Sequence, residues 1–398
     1  MNILMISDVY FPRINGVSTS IKLFRQTLLA LGHKVSLIVP CYGDDKQEDG
    51  IYRISSKKVI LDPEDRFMSM KSILDIVPEL SKDDYDLVHI QTPFVAHYAG
   101  LRIAGELGIP CVETYHTFFE EYLYHYFPLV PKSWMRYLAR YFTRKQCNAV
   151  DAVITPSTAM NEVLGKYGVT TSTKIVPTGI DLSELESGDG ATFRLKYGIE
   201  QERPVIVHVG RVAHEKNIDF LLRMLQFLRI NIPDVLLIIA GEGPARAYLK
   251  KLTARLGLDN NVMFIGYLAR DGELLDCYCA GDAFVFASRT ETQGLVLLEA
   301  MALGVPLIST AVMGTKDILE PGKGAIVAEE DAELFADKVQ NILSDSILRA
   351  RLANEAKAYV DEWSAQAMTD RLVSFYTDVI YNKKQVEELN SVLAIKKL

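Results

Sequence analysis

The chain has 398 residues, of which 49% are hydrophobic and 24% charged, and its net charge is −8. This length fits two or three globular domains, no apolar run reaches the ~18–20 residues that a membrane span needs, and an acidic balance argues against a nucleic-acid partner. The N-terminus begins as a strand without a basic leader, so we expect a cytoplasmic protein.

Short apolar runs alternate with amphipathic helical patterns along the whole chain. Helices are predicted at Ser18–Leu31, Val95–Leu107, Asn217–Arg229, Ala245–Leu256 and Leu295–Leu303. Strands are predicted at Asn2–Ser7, Val35–Val39, Leu87–Ile90, Cys111–Thr114, Ala152–Ile154, Lys174–Val176, Val205–Val209, Val235–Ala240, Val262–Ile265, Ala283–Ala287 and Pro306–Ser309. Such alternation predicts parallel sheets covered on both faces.

Two such sets in series predict an α/β fold with two Rossmann-like, doubly wound parallel-sheet domains. We place the first domain at residues 1–178 and the second at 179–364, because a stretch rich in Gly, Ser and acidic residues follows residue 178. A C-terminal helix, about 365–398, is expected to pack back on the first domain. Ligands bind beyond the carboxyl ends of parallel strands, so an interdomain cleft is the expected site.

The cysteines form no recognisable framework. The chain has Cys41, Cys111, Cys147, Cys277 and Cys279, and an odd, scattered number argues against disulfides. No second Cys or His pair stands at zinc-finger spacing from Cys277 and Cys279. We therefore expect free thiols and no metal site.

Two glutamates frame the start of a helix that follows the strand Ala283–Ala287. Glu291 lies in the loop, Gly294 and Leu295 open the helix, and Glu299 lies within it. A helix N-terminus offers free N–H groups and a partial positive charge to a diphosphate, while the two carboxylates can accept sugar and ribose hydroxyls. A pair of solvated surface glutamates is the alternative, because acidic residues are common at helix starts.

Two cations follow the strand Val205–Val209. Arg211 and Lys216 lie five positions apart in a loop that opens a helix, where they can clamp two phosphates and neutralise a departing diphosphate. An exposed basic loop is the alternative, but a position directly after a strand favours a ligand site. Gly241 and the turn Phe264–Gly266 follow the next two strands, and each offers a tight backbone turn to a base or phosphate.

In this order, the motifs Gly-Arg-x4-Lys, Gly-x-Gly, Phe-x-Gly and Glu-x7-Glu resemble family four of the retaining GT-B glycosyltransferases, over residues 1–380. The resemblance implies that Arg211 and Lys216 hold the diphosphate of a nucleotide-sugar donor. It implies further that Glu299 binds the ribose, that Glu291 contacts the hexose, and that the backbone of Phe264–Gly266 holds the base. The second domain then binds the donor, with Gly241, Gly294 and Leu295 among its contacts, and the first binds the acceptor.

The first domain contributes a glycine turn and a histidine to the expected site. The family often has Gly-Gly after its first strand, whereas this chain has Asn15-Gly16. The resemblance implies that Gly16 approaches the diphosphate, with Asn15 beside it. His116 follows the strand Cys111–Thr114, where a family histidine contacts the donor sugar. A core histidine bonded to a carbonyl is the alternative.

The resemblance also implies retention of the anomeric configuration. No carboxylate is a convincing covalent nucleophile, so we expect front-face attack, in which the leaving phosphate takes the acceptor proton. The expected catalytic residues are His116, Glu291, Arg211 and Lys216. No Asp-x-Asp motif lies in a plausible position for a metal-bound diphosphate, so we predict activity without metal or cofactor.

A basic amphipathic helix is predicted at residues 132–145. Aromatic and aliphatic residues recur there at a helical period, and residues 122–150 contain no Asp or Glu. Lys132, Trp134, Arg136, Arg140 and Arg144 suit the surface of an anionic bilayer. The alternative is an ordinary helix with its apolar face on the core and its arginines in water.

Thr114–Tyr126 and Asn15–Ser20 are similar to the bacterial diacylglycerol glucosyltransferases of this family. This implies a peripheral enzyme on the inner face of the cell membrane that moves glucose from UDP-glucose to diacylglycerol or a related lipid. A soluble acceptor (sugar, polysaccharide or thiol precursor) is an alternative. So are a GT-B epimerase, which is not expected to carry Glu-x7-Glu, a phosphorylase, for which no pyridoxal-lysine motif is present, and a silent scaffold, against which the intact motifs argue.

Overall fold

The structure is a computed structural model with two compact units. It describes residues 1–43, 48–59, 65–118, 120, 131–185, 187–270 and 272–395. Unit 1 comprises Met1–Gly179 and Ala365–Leu398, and unit 2 comprises Ile180–Ser364. Each unit contains its own parallel sheet, which confirms the predicted fold class of two parallel-sheet α/β domains.

Unit 1 is built on a seven-stranded parallel sheet. The strands of the whole unit, including two that lie outside this sheet, are β1 (Asn2–Ile6), β2 (Lys34–Pro40), β3 (Ile51–Ile54), β4 (Ser56–Lys58), β5 (Arg66–Met68), β6 (Leu87–Ile90), β7 (Cys111–Thr114), β8 (Ala152–Thr155) and β9 (Thr173–Ile175). The sheet order is β3-β2-β1-β6-β7-β8-β9, while β4 and β5 form a separate antiparallel pair. Sequence patterns do not predict β3, β4 or β5, because each of these short strands contains Arg or Lys and none is a continuous apolar run.

Unit 2 has a six-stranded parallel sheet. Its strands are β10 (Val205–Val209), β11 (Leu236–Ala240), β12 (Val262–Gly266), β13 (Ala283–Phe286), β14 (Leu307–Ser309) and β15 (Ala325–Val327). The order β12-β11-β10-β13-β14-β15 is doubly wound. The winding reverses between β10 and β13, as it does between β1 and β6 in unit 1. Open parallel sheets bind ligands at this switch point, beyond the carboxyl ends of the strands.

Helices cover the faces of both sheets. They are α1 (Gly16–Ala30), α2 (Met70–Asp75), α3 (Val77–Leu80), α4 (Val95–Leu107), α5 (Lys132–Cys147), α6 (Thr158–Tyr167), α7 (Gly190–Lys196), α8 (Ile218–Asn231), α9 (Arg246–Arg255), α10 (Glu273–Cys279), α11 (Leu295–Ala302), α12 (Thr315–Leu319), α13 (Ala332–Ser344), α14 (Ser346–Val360) and α15 (Ala365–Ile395). Among the described residues, none of these helices is long and apolar enough to cross a membrane.

The last helix, α15, follows unit 2 in the chain but packs in unit 1. Its residues Met368, Leu372, Tyr376 and Val379 recur at a helical period and are buried in the core of that unit, beside residues of α1 and β1. The sequence of unit 1 is therefore discontinuous, and the C-terminal part of the chain takes part in its core.

The five cysteines are free thiols, as predicted. Cys111, Cys147 and Cys277 are buried, and burial raises the pKa of the Cys277 thiol to about 12. These thiols therefore stay protonated at neutral pH and serve as small apolar side chains.

Candidate active site

At the switch point of unit 2, a lysine and a glutamate from different strand-end loops form an ion pair. Lys216 ends a short 3-10 turn after β10, and Glu291 lies in the loop after β13. The Lys216 Nζ donates to Glu291 Oε1, and the two side chains are only 14% and 17% exposed. The backbone also anchors the loop, because Gly314 N donates to Glu291 O over 2.9 Å. The structure thus brings together a predicted phosphate ligand and a predicted hexose ligand.

Arg211 begins the same loop and is exposed. Among the described residues it has no carboxylate partner at ion-pair distance, so its charge is available to an anion. The neighbouring loops are joined by backbone hydrogen bonds, from Gly210 N to Ala240 O (3.0 Å) and from Gly241 N to Gly266 O (2.7 Å). A Cβ on Gly241 would lie 1.9 Å from Gly210 O, so close packing of these loops requires glycine there.

The start of α11 has the features of an anion site. Gly294 precedes the helix with φ 103°, and no side chain caps it in the described structure. The N–H groups of the first turn, from Leu295 onward, therefore lack a side-chain acceptor. The left-handed backbone of Gly294 explains why glycine is needed at this position.

Glu299 lies in α11 and is buried, at 8% exposure. Its Oε2 accepts a hydrogen bond of 2.8 Å from the Tyr278 hydroxyl, and its Oε1 accepts one of 2.5 Å from Arg270 Nη2. Burial, with the nearby Glu299 charge, raises the pKa of Tyr278 well above its usual value. Each carboxylate oxygen keeps a second lone pair, so ribose hydroxyls can still bind. Sequence reasoning missed Arg270 and Tyr278, because no motif contains them.

The turn Phe264–Gly266 ends β12, which is the edge strand of its sheet. Within the described sheet, the outer backbone groups of this strand have no partner strand, so a planar base can hydrogen-bond to them. The Phe264 ring packs against the core of the unit. The backbone, rather than this side chain, is therefore the part that a nucleotide base can reach.

Three polar side chains on β10 and in the loop after β13 have a buried atom without a hydrogen-bond partner in the described structure. His208 Nδ1 donates to Val285 O over 3.1 Å, and burial lowers the pKa of His208 to about 4. Among the described residues, His208 Nε2 and the hydroxyls of Ser288 and Thr290 are buried without a hydrogen-bond partner. Such atoms are rare in folded proteins and call for water or ligand. Ser288 and Thr290 closely follow β13, which is the signal by which sequence reasoning could have found them.

In unit 1, Asn15 caps the helix that Gly16 opens. Ser18 N donates to Asn15 Oδ1 and Asn15 N donates to Ser18 Oγ, both over 2.9 Å. This reciprocal capping box engages the Asn15 side chain with its own helix. A Cβ on Gly16 would meet no atom within 4 Å, so ligand can approach there. The predicted donor contacts of both residues stay predictions.

The His116 ring is hydrogen-bonded to Gln91, a residue that belongs to none of the sequence motifs. His116 Nε2 lies 2.9 Å from Gln91 Oε1, and burial lowers the pKa of His116 to about 4. The imidazole is therefore neutral at pH 7, suited to hydrogen bonding with a sugar rather than to carrying charge. Gln91 follows β6 directly, and the rule that polar residues after strands carry function could have identified it.

Asp8, two residues after the end of β1, is another residue that the sequence analysis does not identify. Its Oδ2 accepts hydrogen bonds from Thr92 Oγ1 (2.8 Å) and Ala96 N (3.0 Å), which join the ends of β1 and β6. Burial raises the pKa of Asp8 to about 6 despite these bonds. A buried carboxyl at a switch point, with Oδ1 unpartnered among the described residues, marks this sheet edge as a polar site.

Helix α5 leaves its aromatic face exposed, so the alternative in which that face packs on the core is wrong. Trp134, Tyr137 and Phe142 are 68%, 67% and 51% exposed, whereas the small residues Ala139 and Thr143 face the core. Periodicity shows that a helix has two faces, but it does not say which face packs, and here the row that packs contains Met135, Ala139 and Thr143.

The basic row of α5 is only partly available to a ligand. Arg140 donates to both oxygens of buried Glu120 (3.0 and 2.6 Å), and Arg136 Nε lies 3.5 Å from the same carboxylate. Although burial opposes it, the Arg140 and Tyr167 hydrogen bonds lower the pKa of Glu120. Arg136 and Arg140 are thus both paired with Glu120, and their predicted contact with a membrane or acceptor stays a prediction.

Arg144 keeps an exposed side chain and has no carboxylate partner among the described residues. The side chain of Lys132 lies outside the described residues, as do residues 119 and 121–126 of the segment similar to lipid glucosyltransferases. Within the described chain, no three His, Cys, Asp or Glu side chains gather as a metal site. Metal independence stays a prediction.

Comparison with known proteins gives two matching family models. Residues 14–184 match Glycosyltransferase Family 4, and residues 190–359 match Glycosyl transferases group 1. The chain is 30% identical to the alpha-monoglucosyldiacylglycerol synthase of Streptococcus pneumoniae, over 98% of this chain and 88% of that protein. It is 25% identical to a GDP-mannose-dependent alpha-mannosyltransferase of Corynebacterium glutamicum, over 96% and 89%.

A solved structure supports the fold independently. Anabaena Alr3699/HepE, crystallised in complex with UDP and glucose, matches with a TM-score of 0.74 and 18% identity, covering 95% of this chain and 99% of that one. At this identity the match establishes the architecture only.

Proposed function

Because this chain belongs to the glycosyltransferases of family 4 and group 1, we propose that it moves glucose, with retention, from UDP-glucose to a membrane lipid such as diacylglycerol. One observation carries the proposal: Arg211, Lys216, Glu291 and the start of α11 lie at the strand ends of unit 2, with Glu299 in the same helix. They provide two cations, a helix N-terminus and two carboxylates, which match a diphosphate and two sets of sugar hydroxyls.

The chemistry follows from where charge develops. Loss of the sugar leaves an extra negative charge on the nucleoside diphosphate, which Arg211, Lys216 and the helix N-terminus stabilise. The leaving phosphate oxygen takes the acceptor proton, so no protein carboxylate forms a bond to the sugar. Glu291 and neutral His116 orient the hexose. Arg211, Lys216 and the helix N-terminus supply the positive charge that a metal would otherwise provide, so the reaction needs no metal.

The donor is tested by thermal shift in EDTA with UDP-glucose, UDP-galactose, GDP-mannose and ADP-glucose. A ligand that binds only the folded state raises Tm, by an amount that corresponds to about 2.7 kcal/mol at a hundred times Kd. We expect UDP-glucose to give the largest shift. A shift with GDP-mannose alone would favour mannosyl transfer, in line with the 25% identical relative. A shift that appears only after Mg²⁺ or Mn²⁺ replaces EDTA would overturn metal independence.

The lipid acceptor is supported by α5 and by the 30% identical lipid glucosyltransferase. Helix α5 exposes Trp134, Tyr137 and Phe142 beside Arg144, which has no carboxylate partner in the described part of the chain. Aromatic side chains next to cationic ones fit the interface of an anionic bilayer, so we propose a peripheral enzyme on the inner face of the cell membrane.

Transfer of radiolabelled glucose to phosphatidylglycerol vesicles, with and without diacylglycerol, tests the acceptor. We expect label in the lipid extract only when diacylglycerol is present, in an α-linkage by NMR, since UDP-glucose is itself α. A β-linked product would overturn retention. Label transferred only to soluble sugars or thiol precursors would overturn the lipid acceptor while leaving the transferase intact.

A further inference from the structure

Inside unit 1, a chain of hydrogen bonds connects α15 to His116. His89, on β6, is fully buried, and its Nδ1 lies 2.5 Å from the Tyr376 hydroxyl and 3.0 Å from Gln91 Nε2. Its Nε2 lies 2.7 Å from Thr114 Oγ1. Gln91 Oε1 in turn lies 2.9 Å from His116 Nε2. One continuous network thus joins five side chains, from α15, β6, the loop after β6, β7 and the loop after β7.

The donors and acceptors of this network can be assigned. Burial lowers the pKa of His89 to about 3, so the ring is neutral and carries one proton. The carboxamide nitrogen of Gln91 can only donate, and the Tyr376 hydroxyl, whose pKa burial raises well above 10, keeps its proton. Both donate to His89 Nδ1, which therefore carries the lone pair. The proton of His89 is on Nε2 and is donated to Thr114 Oγ1.

The opposite orientation of the Gln91 amide is less favourable. It would place the carboxamide oxygen against His89 Nδ1 and require the proton on that nitrogen. Among the described residues, His89 Nδ1 is the one hydrogen-bond partner of the buried Tyr376 hydroxyl, so Tyr376 would then have a proton without an acceptor. A buried donor without an acceptor destabilises the folded state, because it has lost its hydrogen bond to water without gaining another. The Tyr376 hydroxyl therefore selects the orientation in which Gln91 Oε1 faces His116.

A carboxamide oxygen can only accept, so His116 Nε2 must donate. His116 is neutral, and its Nδ1 then carries the lone pair and has no hydrogen-bond partner among the described residues. We propose that Gln91, His89 and Tyr376 are positioning residues that hold His116 in the Nε2–H tautomer and so offer Nδ1 as a hydrogen-bond acceptor. This assignment rests on the proposed function. It means that His116 Nδ1 accepts a hydrogen bond from a hydroxyl group of the donor sugar and does not contact a phosphate oxygen.

Long-range ¹H–¹⁵N NMR of the full chain with ¹⁵N-labelled histidine tests the tautomer directly, without donor. The spectrum distinguishes protonated from unprotonated ring nitrogens, and His116→Gln identifies the signals of that residue. We expect protonated Nε2 and unprotonated Nδ1 in the wild type. In Gln91→Leu, and to a smaller extent in Tyr376→Phe, we expect a mixture of tautomers. Protonated Nδ1 in the wild type, or unchanged His116 signals in Gln91→Leu, would overturn the proposal.

Kinetics add a second, separable readout. Gln91→Leu is expected to lower kcat about tenfold, because misorientation of a positioning group slows a reaction that depends on geometry, with KM for the donor changed less than twofold. Tyr85→Phe is the matched control, since Tyr85 is a buried tyrosine of unit 1 whose hydroxyl bonds to Ser36 (2.8 Å), away from this network. Its His116 signals should match the wild type.

The two proposals fail in different ways. An inactive protein whose His116 shows the Nε2–H tautomer would contradict the proposed function and leave the network assignment standing. A transferase whose His116 carries its proton on Nδ1 would contradict the network assignment alone.

Discussion

Lys216 and Glu291 are each other's counterion in the structure, so removing either changes the site. Glu291→Gln keeps the side-chain shape but removes its charge. We expect kcat/KM for the donor to fall about 10²-fold, the usual effect of losing one preorganised polar group at the reacting centre. Tm should change little, because the amide oxygen still accepts from Lys216.

The matched control is Glu362→Gln, which breaks the exposed pair with Lys323 in the same unit. Such surface pairs contribute about 0–1 kcal/mol, so activity and Tm should stay at wild-type values. An activity of Glu291→Gln within threefold of the wild type would remove Glu291 from the site.

Glu299 has two roles that different substitutions can separate. Glu299→Ala would leave the fully buried Tyr278 hydroxyl without its acceptor, at a cost of about 1–3 kcal/mol. We therefore expect this variant to lose both UDP binding and stability. Glu299→Gln keeps an acceptor for Tyr278 and should weaken UDP binding, measured by calorimetry, with a smaller loss of Tm. Equal UDP affinity in Glu299→Gln and the wild type would exclude the ribose contact.

At the scale of the element, helix α5 exposes large aromatic side chains that do not contribute to the packing of its unit. Its aromatic side chains are exposed, so Trp134→Ala with Phe142→Ala should leave Tm unchanged. Burial of a large apolar side chain contributes about 1.5–3 kcal/mol, so flotation with phosphatidylglycerol vesicles should become at least tenfold weaker.

Ile347→Ala is the control for this experiment, because Ile347 is 81% exposed on α14 of unit 2 and should not affect flotation. Added salt should weaken wild-type binding by screening Arg144 and its basic neighbours. Wild-type binding to neutral vesicles as strong as to anionic ones would contradict the electrostatic part of the proposal.

At the scale of the whole molecule, buried histidines predict that stability falls with acid. Burial lowers the pKa of His89 to about 3 and those of His116 and His208 to about 4. Between these values and the ordinary 6.5, the unfolded chain binds protons that the folded chain does not, so stability is lost as pH falls from about 7 to 4. Each histidine contributes up to about 1.4 kcal/mol per pH unit.

The Asp8 carboxyl has the opposite effect on stability as the pH falls. Burial raises its pKa from 3.8 to about 6, so between these values the folded chain binds the extra proton and gains stability as pH falls. Three histidines outweigh one aspartate, and urea midpoints should therefore decrease from pH 7 to pH 5. His208→Gln should reduce the number of protons taken up on unfolding by about one, and the pH dependence of stability should become correspondingly weaker. A midpoint that stays constant over this range would show that the histidines are not held neutral.

The sequence by itself determined the two-sheet architecture and the candidate donor motifs. Fully buried strands such as β10 and β11 appear as continuous apolar runs. Arg211, Lys216 and Glu291 lie in the loops that follow strands, where parallel sheets bind ligands. These signals are local, because a strand and the loop after it are adjacent in the chain.

Only the tertiary structure decided which partners these residues have and which faces they expose. His89 and Tyr376 are 287 positions apart, and no local pattern pairs them, nor Tyr278 with Glu299 or Arg140 with Glu120. The exposed aromatic face of α5 was likewise undetermined, since periodicity defines a face but not its surroundings. Hydrogen bonds and burial depend on where the fold brings distant segments together, whereas the strand and helix patterns depend on neighbours along the chain.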